Sequence, residues 1–286
     1  MAIKYGTLNV DEKYSSILEP NLFADSFLSP GVTYTDQYEE GAAGGIFVHK
    51  LSTTAVDPGT PGRDFTDEAI ADELIQILLN NNYQKSKKIY GVQAAAVSFP
   101  VADEALSLAT AEVKEGRQLS ALACLVQEGT ADGDSADITD ATGAFLKSRE
   151  LITTAKGKSN VVLCHPEYFT MLLAEAGEKF TPVRNDRIAE TGAIGTYMGH
   201  LFIECPQLAA TQGKYYDSAG ALKTVSFAKV QYIMYNYMAL SIVDNLEAMR
   251  IVDSENFVGS KAQVEMNTGF KVTNNKLAIV RKKTGE

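Results

Sequence analysis

The chain is poor in the groups from which catalytic and metal sites are built, with three cysteines and three histidines in 286 residues. It is also short of positive charge: 26 Lys and Arg against 36 Asp and Glu leave a net charge of −10. Gripping a phosphate backbone needs clustered cations, so this balance disfavours a general nucleic-acid binder and leaves room for a few local basic contacts. No apolar run approaches the roughly 18–20 residues that span a bilayer. The Met1 end carries no basic-then-apolar leader, so no membrane partner and a cytoplasmic location are expected. Cys124, Cys164 and Cys205 all lie inside apolar runs, which makes them small buried hydrophobes and not a disulfide framework.

What is present supports a sizeable core, since 45% of the residues are hydrophobic. The length points to one large domain or two intertwined ones. Residues 1–45 scatter aromatics without a period and are interrupted by Pro20, Pro30 and a Gly cluster. Such a stretch reads as an arm ordered by lying on another surface, which implies a partner subunit. Residues 46–51 (IFVHKL) alternate like a strand, residues 52–63 are a turn-rich loop, and residues 64–72 have the acidic start of a helix. Residues 73–79 and 87–93 flank a polar stretch and read as two strands of a long hairpin, with helix the rival over residues 70–79.

Residues 101–127 are the clearest helix, with apolar side chains at helical spacing and Asp103 and Glu104 near its start. An acidic loop over residues 128–140 leads to an amphipathic helix over 141–155. Residues 159–208 then predict a buried strand (161–164), a Pro-led helix (166–176), a charged loop, a turn built on Gly192, Gly195 and Gly199, and a second strand (201–205). After a polar hairpin at 212–224, six short strands at 230–235, 237–243, 248–252, 262–266, 269–272 and 277–280 suit an antiparallel sheet.

No catalytic or metal constellation emerges. Strand alternation sends Cys164 and His165 to opposite faces, so a metal site with His200 and Cys205 is disfavoured. A Cys–His nucleophile pair lacks an orienting third group. The run from Asp132 to Asp140 looks like a calcium loop, but Ala136, Asp137 and Gly143 fall where an oxygen ligand, a Gly and a Glu are needed. The glycines of residues 192–199 precede a strand and do not open a helix, which removes the phosphate-binding geometry. The Tyr-rich run 232–237 reads as a packed strand face.

The order of these pieces carries a resemblance: the 64–92 hairpin entering the 101–127 helix, NVVLCHPEYFTMLL, GAIGTYMGHLFIECPQL, and the strands of residues 258–280. It resembles the major capsid protein of tailed bacteriophages, the Hong Kong 97 type fold. The resemblance implies an α+β fold with an N-terminal arm (1–45), a strand and extended loop (46–93), and a spine helix with the acidic loop of a peripheral domain (94–140). An axial domain (141–224) and C-terminal strands (225–286) that complete the peripheral and axial domains follow.

It further implies self-assembly into hexamers and pentamers of an icosahedral head around double-stranded DNA, with no catalytic residue, cofactor or metal. The expected partners are the chain itself, a separate scaffolding protein, a portal, a decoration protein and weakly touched DNA. The start at Met1 favours scaffolding from a separate chain. Subunit contacts are expected at Phe23 and Phe27 of the arm, and at Asn81, Tyr83, Lys85, Lys87 and Lys88 of the extended loop. Lys179, Arg184, Asp186, Arg187 and Glu190 of the charged loop are expected around a capsomer axis. The three lysines stand where some members form a Lys–Asn cross-link, although non-covalent turn lysines are the simpler reading. An encapsulin-like shell and a small hydrolase using Cys164 or His165 are the alternatives.

Overall fold

The computed structural model describes residues 3–5, 8–10, 27–28, 33, 45–51, 72–92, 101–134, 138–176, 181–182 and 193–283. In chain order these form β1 (Ile3–Tyr5), β2 (Leu8–Val10), β3 (Gly45–Leu51), β4 (Asp72–Leu78), β5 (Asn81–Tyr90), α1 (Val101–Glu128) and β6 (Thr130–Ala131). There follow α2 (Ala141–Thr154), β7 (Val161–Cys164), α3 (Pro166–Ala176), β8 (Thr181–Pro182), β9 (Ala193–Tyr197) and β10 (His200–Glu204). The chain closes with β11 (Gln212–Tyr216), β12 (Leu222–Ser226), β13 (Val230–Tyr235), β14 (Leu240–Asp253), β15 (Gly259–Val272) and β16 (Ala278–Lys282).

Seven strands make a mixed sheet in the order β6-β16-β13-β7-β10-β9-β8, with β7 and β10 parallel and β13 antiparallel to β7. Its two faces follow from period-2 alternation. Val161, Leu163, Ile233 and Tyr235 turn to one core with the C-terminal half of α1. Val162, Cys164, Tyr232 and Met234 turn to a second core with α2 and α3. A sheet buried on both faces needs continuous apolar strands, and VVLC and VQYIMY supply them.

The N-terminal half of α1 lies elsewhere. Ala109 and Val113 pack on Val264 and Met266 of a three-stranded antiparallel sheet, β14-β15-β5. One uninterrupted helix, about 42 Å long at 1.5 Å per residue, therefore ties two sheets together. Asp140 caps α2 by accepting from the Gly143 N–H at 2.7 Å. The Glu175 carboxylate on α3 accepts from the Ala141 and Thr142 N–H groups at 2.8 Å each, locking the two helices.

The expected hairpin between residues 73–79 and 87–93 is not formed, and neither is the rival helix over the described part of residues 70–79. β4 pairs antiparallel with β3, while β5 pairs with β15. Asn80–Asn82 is a junction between sheets and not a turn. Asn81 is buried there and its side chain accepts from the Tyr216 N–H at 2.9 Å.

Two further corrections concern strands. Gly195 lies inside β9, opposite Phe202. The turn before β10 is made by Met198 and Gly199, both at positive φ. The six C-terminal strands are four: residues 240–253 and 259–272 each run as one 14-residue strand. They do not make a single sheet either, because β13 and β16 join the mixed sheet. The loop at 52–63 and residues 64–71 of the expected helix start at 64–72 lie outside the described residues, and Asp72 opens β4 instead. Of the charged loop at 178–190, residues 181–182 form β8 and the rest lie outside the described residues.

Candidate assembly surfaces

The hairpin that does form is β3–β4, and its two faces differ. Ile46, Val48 and Ile77 turn inward and pack with Leu79 and Val243. Phe47 pairs with Gln76 and His49 with Leu74, so Phe47 and Leu74 share the outer face. Each of those two large side chains is 58% exposed. A two-stranded ribbon with apolar residues on both sides is half-buried in its own chain, and its outer side is suited to a second surface. Sequence reading took Phe47 as one more residue of an alternating strand. The signal it passed over is that IFV and ELI put large apolar groups on both faces.

The expected contact residues fall in other places. Phe27 is buried in the chain's own main core and is not free to meet a neighbour. Asn81 is buried as described, and Tyr83 packs between β5 and α1, where burial raises its hydroxyl pKa. Lys85 and Lys87 both reach Glu112 on α1, Lys85 at 2.8 Å, and the carboxyl of Glu112 is held below the usual range. Lys88 is exposed on the opposite face of the sheet. The three lysines are therefore on β5, not at a hairpin tip. Phe23, Lys179, Arg184, Asp186, Arg187 and Glu190 lie outside the described residues.

The sparse chemistry is absorbed into the core. Cys164 is buried and desolvation pushes its thiol pKa well up, the reverse of an activated nucleophile. His200 sits between Ser159, whose Oγ is 2.7 Å from Nε2, and the Met198 carbonyl, 3.0 Å from Nδ1. Phe145 meets its ring edge-on. No group of three His, Cys, Asp or Glu side chains suited to a metal occurs among the described residues. The calcium-loop look-alike is an ion-pair cluster: Arg281 donates to Asp132 at 2.9 Å and lies 3.2 Å from Asp134, which also receives Lys147.

Burial lowers the pKa of His200 below its ordinary 6.5. The neutral ring is thus favoured by folding, and its contribution is fully present above 6.5 and lost as pH falls through the folded value. In His200→Gln, stability measured by urea unfolding is expected to decline less between pH 7 and 5 than in the parent. An unchanged acid slope would contradict this role.

α1 spans two sheets, β3–β4 is a two-faced hairpin and β14–β15 are long antiparallel strands, an α+β arrangement. No protein-family model and no curated protein matches the sequence. Solved structures do. A structure from Mycobacterium phage Che8 matches with a TM-score of 0.70 at 17% identity, covering 99% of this chain and 100% of that one. The capsid of cyanophage P-SCSP1u matches with a TM-score of 0.70 at 13% identity over 96% of this chain and 93% of that one. The capsid of Ralstonia phage GP4 matches with 0.68 at 10% identity over 100% and 98%. At these identities it is the fold that is shared.

Proposed function

We propose that this protein is a major capsid protein that assembles into hexamers and pentamers of an icosahedral head enclosing double-stranded DNA. The observation that carries the reading is the match of essentially the whole chain to phage capsid structures. A hairpin with an apolar outer face supports it, because a shell is held by many modest contacts whose strengths combine once the ring closes. The net charge of −10 gives packaged DNA little to hold, so contact with it is weak and non-specific. A separate scaffolding protein, a portal and a decoration protein complete the set of partners.

In this reading the mixed charges at Lys179, Arg184, Asp186, Arg187 and Glu190 fix register around a capsomer axis more than they add affinity. Lys85 and Lys87 are both engaged by Glu112 of the same chain, and subunit contacts in this reading are non-covalent. The purified protein is expected to pellet as shells in rate-zonal centrifugation and to run as a monomer band on a boiled denaturing gel. A protein that stays at monomer sedimentation under all assembly conditions contradicts the function.

A further inference from the structure

We propose that the open face of the β14-β15-β5 sheet binds the phosphates of double-stranded DNA through Lys88, Lys261 and Arg250. The proposal rests on the shell-forming role above, which supplies the DNA, and it names one place where the chain touches it. α1 covers one face of this sheet, and Asn82, Gln84, Ser86 and Lys88 of β5 alternate onto the other, where all four are exposed. The register of β5 against β15 sets Lys88 directly opposite Lys261. Like charges so placed repel and lower the stability of the subunit. A lysine on an edge strand has a use within one subunit, since it keeps other strands from pairing there, but β15 is the central strand and Lys261 guards no edge. The two ammonium groups stand 6.0 and 5.9 Å from the centre of the Phe257 ring, whose face offsets part of the repulsion. Among the described residues neither lysine has a carboxylate partner, whereas Lys85 and Lys87 both have Glu112.

Arg250 adds a third cation on the same face, opposite Gln263. Its Nε donates to the Gln263 Oε1 at 2.9 Å, which holds the guanidinium in place and leaves the Gln263 NH2 group as a donor. Ser86, opposite Gln263 on β5, adds a hydroxyl. Lys, Arg, Ser and Gln are side chains that contact a nucleic-acid backbone, and such contacts carry no sequence information. Asp253, opposite Ser260, falls on the α1 side by alternation. Glu265 stands further along β15, where Asn82 and Gln84 donate to it at 2.9 and 3.0 Å, so it closes the positive stretch at one end. A face three strands wide, about 10 Å across, suits a stiff duplex that needs no pocket. An acidic peptide has to be ordered as it binds and takes its specificity from side-chain pockets, so the duplex is the better fit.

Fluorescence anisotropy of a labelled double-stranded DNA fragment, titrated with the full chain below the concentration at which it assembles, tests this. Three phosphate contacts predict that log K falls with log salt at a slope of about −2.7 between about 10 and 100 mM salt. Lys88→Gln with Lys261→Gln is expected to bring the slope to about −0.9 and to weaken binding about 10-fold or more at the low end of that range. The same variant is expected to unfold at an equal or higher urea concentration, because a like-charge pair has gone. Lys156→Gln with Lys158→Gln makes the same change in net charge at exposed positions elsewhere and is expected to bind like the parent. The proposal is overturned if the parent does not bind the fragment, if Lys88→Gln with Lys261→Gln binds like the parent, or if the two pairs weaken binding equally. A poly-glutamate peptide that binds as tightly as DNA and is lost in the same variant overturns it in favour of a carboxylate-bearing partner. Failure of the shell reading looks different: a parent that binds the fragment as expected but closes no shells leaves the phosphate site standing and removes that reading instead.

Discussion

Replacing Arg281 with methionine is expected to lower the unfolding free energy by about 3–5 kcal/mol. The guanidinium lies on β16 opposite Tyr232 and reaches Asp132 at 2.9 Å, with the two side chains 3% and 2% exposed. Methionine keeps much of the volume but leaves the Asp132 carboxylate buried without its countercharge. The cost comes from that stranded charge and not from loss of the pair's own attraction, which desolvation largely cancels. Asp132→Asn added to Arg281→Met is therefore expected to recover a substantial part of the loss, a coupling that a double-mutant cycle in guanidinium chloride measures. Asp134 lies close to the guanidinium as well, and Lys147 of α2 holds it, so the cluster ties β16, the loop after β6 and α2 together. A loss under 1 kcal/mol would show that water or neighbouring groups take over the countercharge.

The second large effect is on assembly and not on folding. Phe47→Asp with Leu74→Asp is expected to abolish shell formation while changing the subunit's unfolding free energy by no more than about 0.5 kcal/mol per site. Both side chains are already more than half exposed within one chain, so the folded subunit loses little. Covering the still exposed part of a Phe and a Leu contributes about 2–3.5 kcal/mol to each hairpin contact, about 30-fold or more in association constant. That term recurs at every subunit of a shell. Light scattering during assembly, with urea unfolding of the same samples, separates the two effects. Normal shells from this variant would remove the hairpin's outer face from the interface.

The contrast between these two sites shows where sequence was a good guide. α1, α2, α3, β7 and β13 were legible because each follows from a local period: heptad-like spacing or an unbroken apolar run sets them whatever the rest of the chain does. Pairing was not legible, because it depends on distant residues. Asn80, Asn81 and Asn82 between two apolar runs look like hairpin turn chemistry, yet Asn81 is recruited by the Tyr216 backbone of a strand 135 residues away. β15 was divided at Asn267 and Thr268 for the same reason. Thr268 is buried and donates to Asp244, while Gly269 is there because any Cβ would come within 2.7 Å of the Leu78 carbonyl. Polar residues that serve a tertiary contact read as loop when seen alone.

For the assembly surfaces the lesson is similar. Lysines on an apparent turn were taken as a projecting tip, whereas the true pairing divides them by strand alternation. Lys85 and Lys87 go to the α1 side, and Lys88 goes to the open face beside Lys261. Only the register of β15, set by thirteen paired positions with β14, makes that division visible. Phe27, assigned to a neighbour because it lies in an irregular aromatic arm, is instead part of the main core.

Electron microscopy of the purified protein tests the central claim most directly. The account predicts closed icosahedral shells whose walls resolve into rings of six and, at the vertices, rings of five subunits, with the β3–β4 hairpin of each subunit lying over a neighbour. Particles without such rings, or a protein that remains monomeric across salt, pH and concentration, would contradict it.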